Sequence, residues 1–513
     1  MSTASRVIKN TSYLYLKMGI TTFVTLYSTR LVLASLGASD FGVFHIVGGV
    51  ISMLGFLNLA AANATYRFLA CAEEENDLEK KKTVFNASLV LHVFIAMVTA
   101  LLLLVAMYPL FNGILNIDVE RIGAARGVYA SLIFSAILVI INVPYDAILN
   151  VHENMLYYSL IGVFEAVLRL GIAIACVYTH YDKLIFFGVL SACVPIITLS
   201  ITKLYCHRHY EECVIAPAKY WDFQCVKKMS AFSGWTFLIT ISELVTFQGT
   251  GVVLNHFFGT VLNAAQGISN QVKAYLSTFS ENMKKALISV IMKKASGTEY
   301  GSLNATSISS SKFFALMTLF FAVPFILEAP YILNLWLTEV PQWTVVFCIF
   351  QLAMIIMVQM TKPLEISIYG VGDIKGFAIW KSIMNISPLI FTYICFRNGG
   401  SPIWLYIPMI IVWAFCGNIV VVAYAKRFCK LSIDEYMKNV VLPVVTITMS
   451  MFALGVCVHI SMSEGLLRLV LCFMATTIGM IASLTLVGLS SEEKRVCNDI
   501  VKNAIERIKQ VER

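Results

Sequence analysis

Basic side chains lie inside long apolar segments of this chain, and their chemistry requires an explanation. A lysine or arginine in hydrocarbon is costly unless it is paired or hydrated. Residues 264–292 carry a polar stripe, because side chains that advance by about 100° return to one helical face every third or fourth position. The stripe consists of Gln266, Asn270, Lys273, Ser277, Ser280 and Lys284. We interpret it as the lining of a hydrated cavity, although small polar residues also pack helices together and Lys284 could extend to the membrane surface.

Neighbouring apolar segments show a similar pattern. Lys17 lies on the polar face of residues 10–35, and Ser52 and Asn63 lie within residues 42–66, with Arg67 just beyond them. Residues 230–256 carry Glu243 on one face together with serine and threonine. We therefore expect these segments to line a hydrated cavity.

The charged residues inside apolar segments differ in how they can be neutralised. Arg30 projects about 140° away from Lys17 on a straight helix, so it is either an anchor near the outer surface or a ligand contact. Glu165 and Arg169 are four residues apart and are expected to pair. Glu243 has no partner at helical spacing, so it is the better candidate for coupling to protons or sodium. The alternative is that Glu243 pairs with a lysine and never titrates.

The composition places these segments in a membrane. Of 513 residues, 58% are hydrophobic and 13% are charged, and the mean hydropathy is +0.78. A soluble domain has about 25% charged residues. Fourteen apolar segments of spanning length predict an all-α polytopic membrane protein with 14 transmembrane helices, without a cleavable signal peptide.

The connecting segments indicate the topology. Lysine and arginine are concentrated in alternate connections, which by the positive-inside rule places both termini in the cytoplasm. The net charge of +8 reflects this topology and gives no reason to expect nucleic acid. Residues 491–513 alternate apolar and basic positions at helical spacing, which predicts an amphipathic helix on the inner membrane surface or a docking helix.

A weak internal repeat indicates two similar halves. VIKN at 7–10 resembles VKKM at 226–229, LVL at 31–33 resembles VVL at 252–254, and Leu36-Gly37 matches Phe258-Gly259, at offsets of 219 to 222 residues. Six spans separate the copies, so both halves have the same orientation, an arrangement known in transporters. The predicted organisation is an N-lobe at 1–206, a cytoplasmic linker at 207–229, a C-lobe at 230–430, two further helices at 431–490 and the cytoplasmic tail at 491–513.

Signals of a soluble enzyme or a metal site are missing from the sequence. No GxxxxGK[ST], HExxH or GxSxG motif occurs, and every predicted outside loop is short. The thirteen cysteines include no CxxC pair. Cys206, Cys213 and Cys225, with His207 and His209 nearby, fit no common zinc spacing and are expected to be reduced thiols. We expect neither enzymatic activity, nor a cofactor, nor a metal ion.

The opening of the chain resembles a known transporter family. NTSYLYLKMGITTFVTLYSTRLVLASLGASDFGVFHIVGG, followed by SMLGFLN and TYRFLA, is similar to the start of Wzx-like polysaccharide flippases. ENMKKALISVIMKKASGTEYG resembles the end of the eighth span in that family, and the remainder agrees in topology only. These flippases share a superfamily with multidrug exporters (MATE transporters) and the lipid II flippase. The resemblance implies two pseudo-symmetric six-helix lobes in a V, with two additional C-terminal helices.

The resemblance also implies a substrate and its binding residues. The substrate would be a polyprenyl-pyrophosphate-linked oligosaccharide of O-antigen, lipopolysaccharide or capsule assembly, moved from the cytoplasmic to the periplasmic leaflet of a bacterial inner membrane. Membrane lipids would be partners, a polysaccharide polymerase is a further candidate partner, and the chain is expected to act as a monomer. Candidate lumen cations for the pyrophosphate are Lys17, Arg30, Arg67, Lys273 and Lys284. Candidate polar lumen residues are Ser52, Asn63, Gln266, Asn270 and Ser277, and candidate ion-coupling residues are Glu243, Glu165 and Arg169.

Two alternatives within the superfamily stay open. A cation-coupled multidrug exporter is expected to show acidic rather than basic lumen residues, because its substrates are usually cations. A lipid II flippase would share the anionic pyrophosphate substrate. A membrane-embedded glycosyltransferase or polymerase would need a long outside loop with acid and base residues, which the sequence lacks.

Overall fold

The computed structural model describes residues 3–115, 117–297, 299–337 and 340–489. Within these ranges the protein is helical and contains no β-strand, which confirms the all-α fold class. The first helices are α1 (Thr3–Met53), α2 (Gly55–Glu74), α3 (Leu78–Pro109), α4 (Ile122–Val151), α5 (Met155–Tyr178), α6 (Lys183–His209), α7 (Phe223–Phe258) and α8 (Thr260–Ser296). The predicted amphipathic tail at 491–513 lies outside the described residues.

The second half of the chain contains shorter and more broken helices. They are α9 (Tyr300–Leu327), α10 (Ala329–Trp336), α11 (Thr344–Gln359), α12 (Lys362–Val371), α13 (Lys375–Arg397), α14 (Gly417–Cys429), α15 (Ile433–Tyr436), α16 (Leu442–Ser461) and α17 (Leu466–Ser483). A π-helical stretch, Met409–Cys416, leads directly into α14.

The described helices accommodate the fourteen predicted spans. Eleven of them are long and apolar enough to cross a membrane, and two bent pairs raise the number to thirteen. One bent pair is Asp40–Ser52 with α2, and the other is α11 with α12, which meet at 42°. The remaining predicted span is α8, whose 37 residues are long enough to span but carry the polar stripe. The protein is therefore a multi-pass membrane protein.

Two glycines break the helices at equivalent points of the sequence repeat. Gly37 interrupts α1 with φ 77° and ψ 169°, and Gly259 separates α7 from α8 with φ 79° and ψ −171°. A positive φ is strained for a residue with a Cβ, so glycine is favoured at both positions. The two glycines that match in the sequence repeat thus adopt nearly the same backbone conformation.

The chain divides into two compact units, residues 6–241 and residues from Ser242 onward. The division falls inside α7, later than the predicted lobe boundary at 206–230. The first part of α7 packs within the first unit, where the Thr236 hydroxyl donates to the Ala60 carbonyl of α2 at 3.1 Å. Phe232 and Phe237 of α7 also contact aromatic rings of α2.

The connection between α6 and α7, residues 210–222, is held against the first unit. Asn86 of α3 is buried, donates to the Val214 carbonyl at 2.8 Å and accepts from the Ala216 amide at 3.0 Å. His152 at the end of α4 hydrogen-bonds to Glu212. Burial raises the pKa of the Glu212 carboxyl, but the hydrogen bond with His152 and nearby positive charge outweigh it, so the net pKa is lowered. The connection is thus an ordered segment rather than a free tether.

The last two helices pack on α9 and on each other. Glu328, between α9 and α10, is fully buried and receives hydrogen bonds from Arg468 of α17 and His459 of α16. These bonds satisfy a carboxylate that would otherwise be costly to bury. They join α16 and α17 to the second unit.

Candidate functional site

Lysine side chains from α8 and α13 converge on aromatic rings inside the second unit. The Lys273 Nζ lies 3.9 Å from the ring centroid of Phe247 on α7 and 5.8 Å from that of Trp413. The Lys381 Nζ approaches the same Trp413 ring at 6.0 Å, and Lys381 is 7% exposed. A cation over an aromatic face is attracted by the ring quadrupole. The rings therefore help to hold two ammonium groups away from water.

Carboxylates from α7, α8 and α12 balance these lysines. Glu365 is 5% exposed and accepts from the Lys362 Nζ at 3.0 Å and from the Tyr369 hydroxyl at 2.7 Å. Glu243 interacts electrostatically with Lys273 and Lys362. We call this group the lysine–glutamate cluster, and its members are Glu243, Lys273, Glu281, Lys362, Glu365 and Lys381.

The sequence analysis identified Glu243 and Lys273 but missed Lys362, Glu365 and Lys381. Lys362 and Glu365 begin α12, directly after the bend that separates it from α11. A broken helix at membrane depth is tolerated where it is buried in protein or lines a cavity. Two sequence features could have revealed these residues. Lys362 and Glu365 stand three apart in KPLE, a spacing that allows them to pair on one helical face, and Lys381 is a lone lysine in an apolar run.

A polar cleft of about 600 Å³ opens between α7 and α8 on the same side of α8 as Lys273. Amide side chains dominate its lining: Gln248, Asn255, Asn263, Gln266 and Asn270. Phe247 also lines the cleft, so the ring that contacts Lys273 forms one end of it. The Gln351 Nε2 donates to the Asn270 Oδ1 at 3.2 Å and thereby orients this side-chain amide.

The rest of the polar stripe on α8 has local partners. The Ser277 hydroxyl donates to the Lys273 backbone carbonyl at 2.7 Å. Lys284 pairs with Glu281 one turn away at 3.0 Å. Ser280 is buried and hydrogen-bonds to a threonine hydroxyl of α9 at 3.1 Å, so this position serves helix packing. Within the stripe, only Gln266 and Asn270 line the cleft, and Lys273 lies beside its Phe247 end.

The candidate cations of the first unit contact aromatic residues of their own unit. The Lys17 Nζ lies 4.2 Å from the Tyr158 ring centroid, and its side chain fills the space where a Cβ of Gly162 would stand. The Arg67 guanidinium lies 5.2 Å from the ring centroid of Phe232. The hypothesis that Lys17 and Lys273 serve one lumen stays a prediction.

The other candidates in the first unit lie apart from these cations. Arg30 is exposed among exposed apolar side chains of α1. Glu165 and Arg169 form the expected pair, with hydrogen bonds at 2.8 and 3.0 Å. Asn63 is half-buried, and Ser52 lines a separate cavity of about 240 Å³ at the start of α2.

One group within the described chain brings possible metal ligands together. Ligand atoms of Glu73, His152 and Glu212 lie within 4.8 Å of one another. Lys81 already pairs with Glu73 at 2.7 Å, and His152 contacts both carboxylates. Since each charge has a partner in the protein, we interpret this group as an ion-pair network that fastens the 210–222 connection.

Comparison with solved structures identifies the fold. The chain is similar to a MATE transporter crystallised in the bent conformation, with 15% identity, a TM-score of 0.73, and coverage of 84% of this chain and 96% of that chain. It is also similar to an outward-facing multidrug resistance MATE transporter of the MOP superfamily, with 15% identity, a TM-score of 0.68, and coverage of 85% and 97%. No family model matches the sequence, and no curated protein matches it. The chain therefore has the MATE fold.

A third similar structure is a MOP superfamily transporter from Pyrococcus furiosus, whose binding pocket is described as having reverse polarity that suggests a different function. Identity is 15%, the TM-score is 0.67, and coverage is 85% of this chain and 97% of that chain. At these identities the likeness defines the architecture, and the substrate has to be argued from the side chains of this chain.

Proposed function

We propose that this protein is a flippase for an anionic, lipid-linked oligosaccharide, which it moves from the cytoplasmic to the periplasmic leaflet. The observation that carries the proposal is that Lys273, a member of the lysine–glutamate cluster, contacts Phe247, which lines the amide-rich cleft. A polyprenyl pyrophosphate headgroup has an anion beside a hydroxyl-rich glycan. The site offers a cation beside a row of amides, which is the matching chemistry.

The charge balance of the cluster suggests how substrate is held and released. Glu243 interacts with Lys273, so a pyrophosphate that binds this ammonium competes with a carboxylate of the protein. A cation whose charge is already shared holds an incoming anion less tightly, which favours release. Protonation of Glu243 would free Lys273 for the substrate, and this is the coupling role proposed for Glu243.

The test is transport in proteoliposomes with a fluorescent polyprenyl-pyrophosphate trisaccharide, whose headgroup is quenched from outside by an impermeant reagent. Lys273→Gln should slow flipping about tenfold or more, since a hydrogen bond to a charged group contributes about 1.5–3 kcal/mol. Lys273→Arg keeps the charge and should retain more activity. Lys227→Gln, near the start of α7, is the control, because Lys227 is exposed and lies outside the lysine–glutamate cluster. Wild-type rates in Lys273→Gln would overturn the proposal.

A multidrug exporter is the second candidate, and the similarity to multidrug MATE structures favours it. Its substrates are usually cations, which Lys273 and Lys381 would repel. Efflux of a cationic dye from cells separates the two functions. Dye efflux by wild type, with no flipping of the lipid-linked probe, would favour the exporter.

The coupling role of Glu243 has its own test. Glu243→Gln should change the pH dependence of flipping, because it removes the group that exchanges a proton. An unchanged pH profile would leave Glu243 as a structural partner of Lys273.

A further inference from the structure

Four of the five amide side chains of the α7–α8 cleft form no hydrogen bond with another described residue, and the fifth, Asn270, is bound by Gln351. Among the described residues, the side chains of Gln248, Asn255, Asn263 and Gln266 form no hydrogen bond. Gln266 is only 6% exposed, yet it lines the cleft. Buried polar groups in proteins nearly always have a hydrogen-bond partner. The amide of Gln266 is not among the buried polar atoms without a partner, so its hydrogen-bonding groups open onto the cleft, where a ligand or water supplies the missing bonds.

The lining restricts the chemistry of that ligand. Each amide offers both a carbonyl acceptor and NH₂ donors, which suits a hydroxyl because a hydroxyl donates and accepts as well. The described residues that line the cleft include no Asp, Glu, Lys or Arg, and the imidazole of His256 is the one ionisable side chain among them. A charged group placed among these amides would leave water without an opposite charge in direct contact with it, which is unfavourable. The cleft therefore suits an uncharged, hydroxyl-rich ligand.

Two further features fit a sugar ring. Phe247 presents an aromatic surface at one end of the cleft, on which the C–H face of a pyranose can pack. Gly251 leaves room opposite the amides, since a Cβ there would stand 3.2 Å from the Gln266 Oε1 and 3.7 Å from the Asn263 Oδ1. The cleft volume of about 600 Å³ lies in the usual range for small-molecule sites.

We infer that this cleft is a sugar subsite that selects neutral residues in the part of the glycan nearest the pyrophosphate. This inference rests on the proposed function, because it takes Lys273 as the contact of the pyrophosphate. The cleft ends at Phe247 beside Lys273, so sugars attached to a phosphate held there extend along the amides. A uronic acid at that position would place a carboxylate among neutral amides, and the site rejects it.

The experiment measures binding of four probes to the purified full-length protein in nanodiscs. The probes are bare polyprenyl pyrophosphate, the same lipid with a neutral disaccharide, the same lipid with a disaccharide containing a uronic acid, and a free neutral trisaccharide. Wild type should bind the neutral lipid-linked glycan about tenfold more tightly than the bare lipid, as expected from a few added hydrogen bonds. The acidic glycan should gain no such advantage.

Variants separate the sugar subsite from the anion site. Gln266→Met keeps the side-chain volume and removes the hydrogen bonds, so it should abolish the neutral-glycan advantage and leave binding of the bare lipid unchanged. Gly267→Leu should have the same effect by filling the cleft, because a Cβ at Gly267 meets open space. Lys273→Gln should weaken both lipid probes by the same factor. Gln271→Met, on the exposed side of α8, is the matched control and should behave as wild type.

The outcomes distinguish the two proposals. An unchanged neutral-glycan advantage in Gln266→Met, or an equal advantage for the acidic glycan in wild type, would overturn the sugar subsite. If no lipid probe binds wild type, the proposed function fails, and the free trisaccharide then decides the subsite. If wild type binds the free trisaccharide and Gln266→Met does not, the cleft is supported as a sugar site. If wild type does not bind the trisaccharide, the sugar subsite is refuted.

Discussion

Substitution of Glu328 offers a sharp test of how the last two helices are attached. Its fully buried carboxylate receives hydrogen bonds from the Arg468 Nε and Nη2 at 3.1 and 2.8 Å and from the His459 Nδ1 at 2.9 Å. Glu328→Gln keeps the shape of the side chain but leaves the largely buried Arg468 guanidinium without its counter-charge. Breaking a buried ion pair in this way costs about 3–5 kcal/mol.

The expected change in melting temperature follows from the entropy of unfolding, which is about 2 cal/mol/K per residue. We sum the entropy of unfolding either over the whole chain or over the second unit alone. A loss of about 4 kcal/mol in the free energy of unfolding then lowers Tm by roughly 4–7 °C. This change in Tm is measured by thermal unfolding of the detergent-solubilised protein, monitored by intrinsic fluorescence. Glu75→Gln is the matched control, because the Glu75–Lys80 pair lies where α2 connects to α3, is 52% and 44% exposed, and such exposed pairs contribute about 0–1 kcal/mol. Equal Tm changes in the two variants would refute the reasoning.

Three further predictions concern the helix breaks and the connection between α6 and α7. Gly37→Ala and Gly259→Ala should each destabilise the protein by about 1–2 kcal/mol in thermal unfolding, because both positions have positive φ; a neutral effect would contradict the assigned strain. Asn86→Ala removes both hydrogen bonds to the 210–222 connection, so alkylation of the buried Cys213 should become about tenfold faster. An unchanged rate would mean that other contacts suffice to hold this connection in place. The lowered pKa of Glu212 means that its ionised form stabilises the fold above its ordinary pKa of 4.5 and that this contribution is lost as pH falls further. The stability difference between wild type and Glu212→Gln should accordingly be present at neutral pH and shrink in acid, and a difference that persists in acid would exclude this origin.

The sequence alone determined the features that depend on local periodicity. Spanning helices are visible as long apolar runs, because a helix in lipid must be apolar over about 20 residues. The break at Gly37 was predictable because a positive φ favours glycine at a single position. The polar stripe on α8 and the pairing of Glu165 with Arg169 follow from helical spacing, which brings residues three or four apart onto one face.

The tertiary structure decided which of these residues meet. Lys362 and Lys381 join Lys273 only because α12 and α13 pack into the second unit near α8, and no spacing in the sequence relates residues about a hundred positions apart. Helical periodicity gives the direction of a side chain on its own helix but not the neighbour that it faces. For the same reason Ser280, a member of the predicted stripe, lies in helix packing, whereas Gln266 lines a cleft. The contacts across helices are set by the whole packing arrangement, which local sequence does not encode.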